Sequence, residues 1–277
     1  MYGCRVDKPG SVADDAGRSV NVPAAVRRVI TLAPNLTEMV AFLGAGSLIA
    51  GTDDFSDYPT SMKGRPKVGG VQPNLETVAS LDADLVISSA SANHPALAPA
   101  LEALSIPLYV VRTDRLSDIE RSMKALGSLL KLTDALKKTE SFRRALEAEH
   151  RRRRVAPKVL FIVWTDPLYV AGRETFMDDL IELTGSANAA KMTTGWPQFS
   201  LETLVSSEPD ILLFPSRSIK PDRFEQLVRN DARWRNLKCV REHSYFAVDE
   251  DVFTRPGPRV VEAARVLNRI VDDWERR

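Results

Sequence analysis

The stretch Asn74-Leu75-Glu76-Thr77-Val78-Ala79-Ser80-Leu81-Asp82-Ala83-Asp84-Leu85-Val86-Ile87 aligns without a gap on Ser200-Leu201-Glu202-Thr203-Leu204-Val205-Ser206-Ser207-Glu208-Pro209-Asp210-Ile211-Leu212-Leu213. Each copy reads as a short helix with Asn or Ser as N-cap and a Glu at its second position. An Asp then precedes an apolar strand. A repeated helix–strand segment predicts two related lobes, and outward from it the chain keeps the same grammar. Apolar, β-branched runs at Arg28 to Leu32, Leu48 to Gly51, Leu85 to Ile87 and Leu108 to Val111 alternate with loops and helical sequence, which predicts an α/β fold with mainly parallel sheets. From Ser117 the pattern turns helical, with Ile119, Met123, Leu126 and Leu130 on one face. A second helix is expected from about Thr133 to Arg154. A new α/β series opens at Val159 to Trp164 and continues through Ile211 to Phe214 and Tyr245 to Val248. Val260, Ala264, Leu267, Val271 and Trp274 stripe a final helix. The expected domains are an N-terminal lobe (1–132), a connecting long helix (133–156) and a C-terminal lobe (157–277). Before the first strand, Asp14 to Pro23 predicts a hairpin that caps the first lobe, and Ala33 to Glu38 a loop leading into a capped helix that ends at Gly44.

The 277 residues suit two lobes of about 120 residues each. Lys and Arg total 38 against 37 Asp and Glu, so the net charge is +1. That balance excludes the basic field on which nucleic-acid binding depends. No apolar run approaches the length of a membrane span. Two cysteines, Cys4 and Cys239, exclude a disulfide-dense scaffold. Cys4 follows Gly3 as a lipobox cysteine does, so a lipid anchor at Cys4 is expected, with an inert cysteine or a Cys4–Cys239 disulfide as the alternatives. His94, His150 and His243 have no metal-ligand spacing, and a structural metal site is not expected. His94 follows a strand and is a candidate axial ligand to haem iron or corrin cobalt, with an ordinary loop histidine the simpler expectation. Arg151-Arg152-Arg153-Arg154 reads as a solvated cationic helix end. There is no Gly-x-Ser-x-Gly elbow and no His-Glu-x-x-His. Asp53-Asp54, Asp166 and Asp178-Asp179 are commonplace loop and helix-start acids, so no enzyme is expected.

Taken in order, Asp14 to Pro23, Arg28 to Glu38, Ser56-Asp57-Tyr58-Pro59, Lys67-Val68-Gly69-Gly70, Pro73 to Ile87, Trp196-Pro197-Gln198, Ser200 to Leu213 and Phe253 to Arg259 span nearly the whole chain. In this order and spacing they resemble the substrate-binding proteins of cobalamin, haem and iron-siderophore ABC importers. That resemblance implies a class III periplasmic binding protein: two α/β lobes joined by one long backbone helix, monomeric, periplasmic or extracytoplasmic. It implies no cofactor, and as ligand a transported metal chelate, a cobalamin-like corrinoid first with haem or a ferric siderophore as the alternatives; an extracytoplasmic ligand sensor without a permease is the alternative from another class. It also implies that Glu76 and Glu202 dock onto a permease, and that Tyr58, Ser89, Asn93, Trp196, Asp251 and Arg255 contact the ligand. Tyr58 and Trp196 would offer flat faces, Asp251 and Arg255 polar contacts. Where cobalamin-binding members carry tryptophans, this chain has Ser89 and Val252, which removes two stacking surfaces.

Overall fold

Val29-Ile30-Thr31 has no solvent exposure, as a β-branched run must when both faces of its strand are covered. It forms the centre of the first of two sheets in the computed structural model, which describes residues 10–70, 72–92 and 95–277. Cys4, Asn93 and His94 lie outside the described residues. By internal contacts the chain divides into unit 1, Met1–Thr113 with Ser117–Phe142, and unit 2, Asp114–Leu116 with Arg143–Arg277.

In unit 1 a hairpin of β1 (Ser11–Ala13) and β2 (Ser19–Asn21) is followed by β3 (Val29–Thr31), α1 (Pro34–Val40), β4 (Ile49–Thr52), α2 (Leu75–Ser80), β5 (Leu85–Ser89), α3 (Leu97–Ala103), β6 (Leu108–Val111) and all but the first residue of α4 (Leu116–Leu129), while α5 (Ala135–Glu147) begins in unit 1 and its residues from Arg143 on belong to unit 2. The sheet order is β4-β3-β5-β6, and every pair in it is parallel. The hairpin docks on the β6 edge. Buried Asp14 accepts the backbone N–H groups of Ala16, Arg18 and Val110 and binds the Arg18 guanidinium, while the Asp15 carboxylate accepts Arg112 N.

Unit 2 runs β7 (Lys158–Thr165), β8 (Leu168–Val170), α6 (Phe176–Leu183), β9 (Ala187–Asn188), α7 (Leu201–Ser207), β10 (Ile211–Pro215), α8 (Pro221–Asn230), α9 (Ala232–Arg235), α10 (Lys238–Arg241), β11 (Tyr245–Val248), α11 (Glu250–Thr254) and α12 (Val260–Glu275). Its sheet is ordered β11-β10-β7-β8, with β9 also pairing β7. Only the β7–β8 pair is antiparallel. Phe161, Phe214, Phe224 and Trp234 are among its largest fully buried or nearly buried side chains.

The repeated segment is a repeat in hydrogen bonds as well as in letters. Asn74 caps α2 by accepting Thr77 N at 2.9 Å, and Ser200 caps α7 by accepting Thr203 N at 3.0 Å. Asp84 then accepts Arg27 N and Arg28 N at 2.7 and 2.9 Å at the mouth of β3. Asp210 accepts Lys158 N at 2.9 Å at the mouth of β7. Each Asp therefore clamps the start of the strand beside its own.

Three expectations need correction. The helix predicted over 133–156 spans only Ala135–Glu147. Beyond it Arg151 N donates to Leu183 O, and the Arg153 side chain, 5% exposed, reaches Thr184 O, Asp272, Glu275 and Asn268. These tertiary partners replace the local ladder. Gly185 lets the segment approach, since a Cβ there would sit 2.8 Å from Arg151 O. Arg153 is thus a buried tether rather than part of a solvated helix end. The start of α1 has Pro34 at N1 and no side-chain cap; Thr37 turns inward to Thr31 instead. The short strands β8 and β9 have no counterpart in the sequence reading.

Candidate functional site

In unit 1, the all-parallel order sends the loops after β4 and β5 off one edge of the sheet, the edge where α/β proteins place ligands. The loop after β4 reads Asp53-Asp54-Phe55-Ser56-Asp57-Tyr58-Pro59. A buried hydroxyl chain fixes its base: Thr31 Oγ1 to Thr37 Oγ1 at 2.6 Å, Thr37 to Ser56 Oγ at 2.7 Å, and Ser56 to the Asp53 carboxylate. All four residues are at most 2% exposed. Lys67 closes the loop from the other side, its ammonium donating to Thr52 Oγ1 at 3.0 Å, Asp53 O at 3.1 Å and Ser56 O. With its base tied to β3, α1 and Lys67, the loop presents Tyr58 at 46% and Phe55 at 64% exposure. Phe55 was missed in the sequence. An aromatic among loop acids, with no periodic partner to pack on, was the available signal. Ser89, at the end of β5, is buried and its hydroxyl bonds to Ser91 Oγ at 2.9 Å.

In unit 2, Trp196 lies on a segment that pairs with the backbone of residues 168–173. Val170 N donates to Pro197 O at 3.1 Å, Gly172 N to Gly195 O at 2.8 Å, and Phe199 N to Leu168 O at 2.8 Å. The pairing is close enough that a Cβ on Gly172 would meet Thr193 O at 2.6 Å, and Gly195 turns with φ +73°. The indole is 46% exposed, its ring centre 5.9 Å from that of Phe176. Met192, on the same segment, is 87% exposed and was also missed.

Asp251 and Arg255 are brought together on and just after α11, Arg255 donating to Asp251 at 2.8 Å. Arg217, after β10, binds the same carboxylate, and this hydrogen bond raises its pKa above the usual guanidinium value. Arg255 is buried and Val252 is 4% exposed, so Val252 offers no stacking face.

Glu76 and Glu202 stand exposed in the first turns of α2 and α7. Their surroundings differ. The Glu202 backbone N–H and the Ser200 hydroxyl, with the Arg233 guanidinium 3.7 Å away, hold the Glu202 carboxyl below the usual carboxylate range. Glu76 has no ion-pair partner among the described residues. Of the other acids noted in the sequence, Asp53, Asp178 and Asp179 are committed to structure. Buried Asp178 accepts Asn188 Nδ2 and Glu174 N, and Asp179 grips Arg115 and accepts Leu116 N. Among the described residues no cluster of three His, Cys, Asp or Glu could hold a metal ion, and no helix is long and apolar enough to cross a membrane.

A family model described as periplasmic binding protein matches residues 29–252. An uncharacterized ABC transporter substrate-binding lipoprotein of Bacillus subtilis is 28% identical over 94% of this chain and 84% of its own length. The vitamin B12-binding protein of Pectobacterium atrosepticum is 28% identical over 87% of each chain. Among solved structures, a periplasmic heme-binding protein from Roseiflexus sp. RS-1 superposes with a TM-score of 0.78 at 25% identity, over 90% of this chain and 99% of that one. The periplasmic vitamin B12 binding protein of Vibrio cholerae gives 0.79 at 21% identity, over 92% and 100%, a likeness of fold.

Proposed function

This chain belongs to the periplasmic binding protein family, and on that premise we propose that it is the substrate-binding component of a bacterial ABC importer, capturing a cobalamin-like corrinoid and delivering it to a membrane permease. The family's members are transport components rather than enzymes. The observation that carries the reading is the pair of half-exposed aromatic side chains, Tyr58 and Trp196, each on a loop whose backbone is tied down. Flat apolar faces held out to solvent lose little entropy on meeting a large rigid ligand, and binding regains the cost of their exposure. Relatives named for vitamin B12 support a corrinoid as the first ligand to test.

In this reading Tyr58, Ser89 and Asn93 contribute from residues 1–132 and Trp196, Asp251 and Arg255 from residues 157–277, with 133–156 as the connector. Glu76 and Glu202 dock on the permease, and the protein works as a periplasmic or extracytoplasmic monomer, lipid-anchored at Cys4. Ser89 and Val252, standing where the resemblance places tryptophans in cobalamin-binding members, favour a second reading, a haem or ferric-siderophore ligand.

Isothermal titration with cyanocobalamin, cobinamide, haemin and a ferric siderophore tests both. Saturable corrinoid binding that weakens about tenfold in Trp196→Ala is expected, the loss of one stacked ring. Haemin binding without corrinoid binding moves the assignment to the second reading. Binding of none of the four ligands sinks the proposal.

A further inference from the structure

Unit 2 contains a cavity of about 410 Å³ lined by Trp164, Arg217, Lys220 and Arg223 over an apolar floor of Ile219 and Phe224. It opens where β7 and β10 end, the carboxyl edge of that sheet. Three of its lining residues are cationic and none is acidic. Arg217 is neutralised from behind by Glu250 and Asp251. The Lys220 and Arg223 side chains have no hydrogen-bond or ion-pair partner among the described residues. The nearest carboxylates along α8 do not relieve this charge: Glu225 pairs with Arg229 at 3.2 Å, and Asp222 is not among the lining residues. The Trp164 indole N–H donates to Asp166 O at 2.7 Å, which holds the ring at the rim with 46% of its surface in solvent.

Two unanswered cations beside a fixed indole and an apolar floor recognise one kind of chemistry: an anionic group carried on an apolar or aromatic body. We propose that this cavity is an anion subsite that takes a carboxylate or phosphate substituent of the transported chelate, with Lys220 and Arg223 as the charged contacts and Trp164 as the flat one. The inference rests on the chelate-binding reading above and deepens it, since it requires that the ligand be acidic at one edge. A cavity of this size holds an edge and its substituents, not a whole macrocycle.

The test uses two pairs of probes that differ in the anion. Cyanocobalamin carries a phosphodiester that dicyanocobinamide lacks, and protoporphyrin IX carries two carboxylates that its dimethyl ester masks. Titrations compare the full chain with the double variant Lys220→Gln, Arg223→Gln. For whichever pair binds, the variant is expected to raise the Kd of the anionic member by about tenfold at low salt, with a loss that shrinks as ionic strength rises. The neutral member should change by less than about twofold, which also reports that the variant is folded. Equal weakening of both members, or no weakening of either, overturns the subsite and leaves the chelate-binding reading standing. If none of the four probes binds but an uncharged ferric hydroxamate does, the subsite falls and chelate transport survives. If nothing binds, both fall.

Discussion

Lys67 shows how one residue can set up a binding loop without touching a ligand. Its three oxygen partners span Thr52 to Ser56, so the charge adds to the backbone hydrogen bonds of Thr52, Asp53 and Asp54 and extends the hold on the chain to Ser56. Lys67→Met keeps the aliphatic stem and removes all three bonds. A loss of about 1–3 kcal/mol in urea unfolding is expected, together with weaker chelate binding through the disordered Tyr58 loop. Unchanged binding would separate this network from function. Cys239 is the opposite case, a residue whose sequence invited chemistry that its surroundings withhold. It is a free, fully buried thiol in the unit 2 core, and burial pushes its pKa from 9.0 up to about 12. Reaction with a thiol reagent is therefore expected only in denaturant. The thiol's folded pKa lies above its unfolded one, so below pH 9 it leaves stability independent of pH. Between pH 9 and 12 the unfolded chain sheds a proton that the folded chain keeps, and stability falls. Cys239→Ala should flatten that part of the alkaline unfolding curve.

Among the elements, the repeated helix–strand segments are where sequence and structure agree most closely, because the features that specify them are local. An N-cap, a 3.6-residue helix and a β-branched strand each depend on neighbours within a few positions. Their terminal acids do more than the sequence could show. Asp84 and Asp210 each tie the start of an adjacent strand. Asp84→Ala and Asp210→Ala are each expected to cost about 1–2 kcal/mol in chemical denaturation, and the losses should add in the double variant because the clamps share no partner. A loss in only one of the two would mean that the likeness between the segments stops at secondary structure. Strands β8 and β9 were illegible for a related reason. At three and two residues, they are too short to carry a period and exist through pairing with β7.

For the molecule as a whole, the proposed partner is a membrane permease, and Glu76 and Glu202 are its proposed contacts. Glu76→Ala with Glu202→Ala is expected to leave chelate affinity unchanged while cutting stimulation of the transporter's ATPase by about tenfold, most strongly at low salt. Wild-type stimulation by the double variant would remove both residues from docking. The sequence alone determined the α/β class, the longer strands and the internal repeat, because alternating apolar runs and capped helices are written in contiguous residues, and its ordered motifs carried the resemblance to the family. The candidate site was legible only in part: the resemblance named Tyr58 and Trp196, whereas it marked neither Phe55, Met192 nor the cavity beside Trp164. Only the tertiary structure decided that α5 stops at Glu147, that Arg153 is buried, that Ser89 and Val252 face inward, and that Lys220 and Arg223 share a cavity with no carboxylate. Burial and charge pairing depend on which distant segments meet, and no local period encodes that.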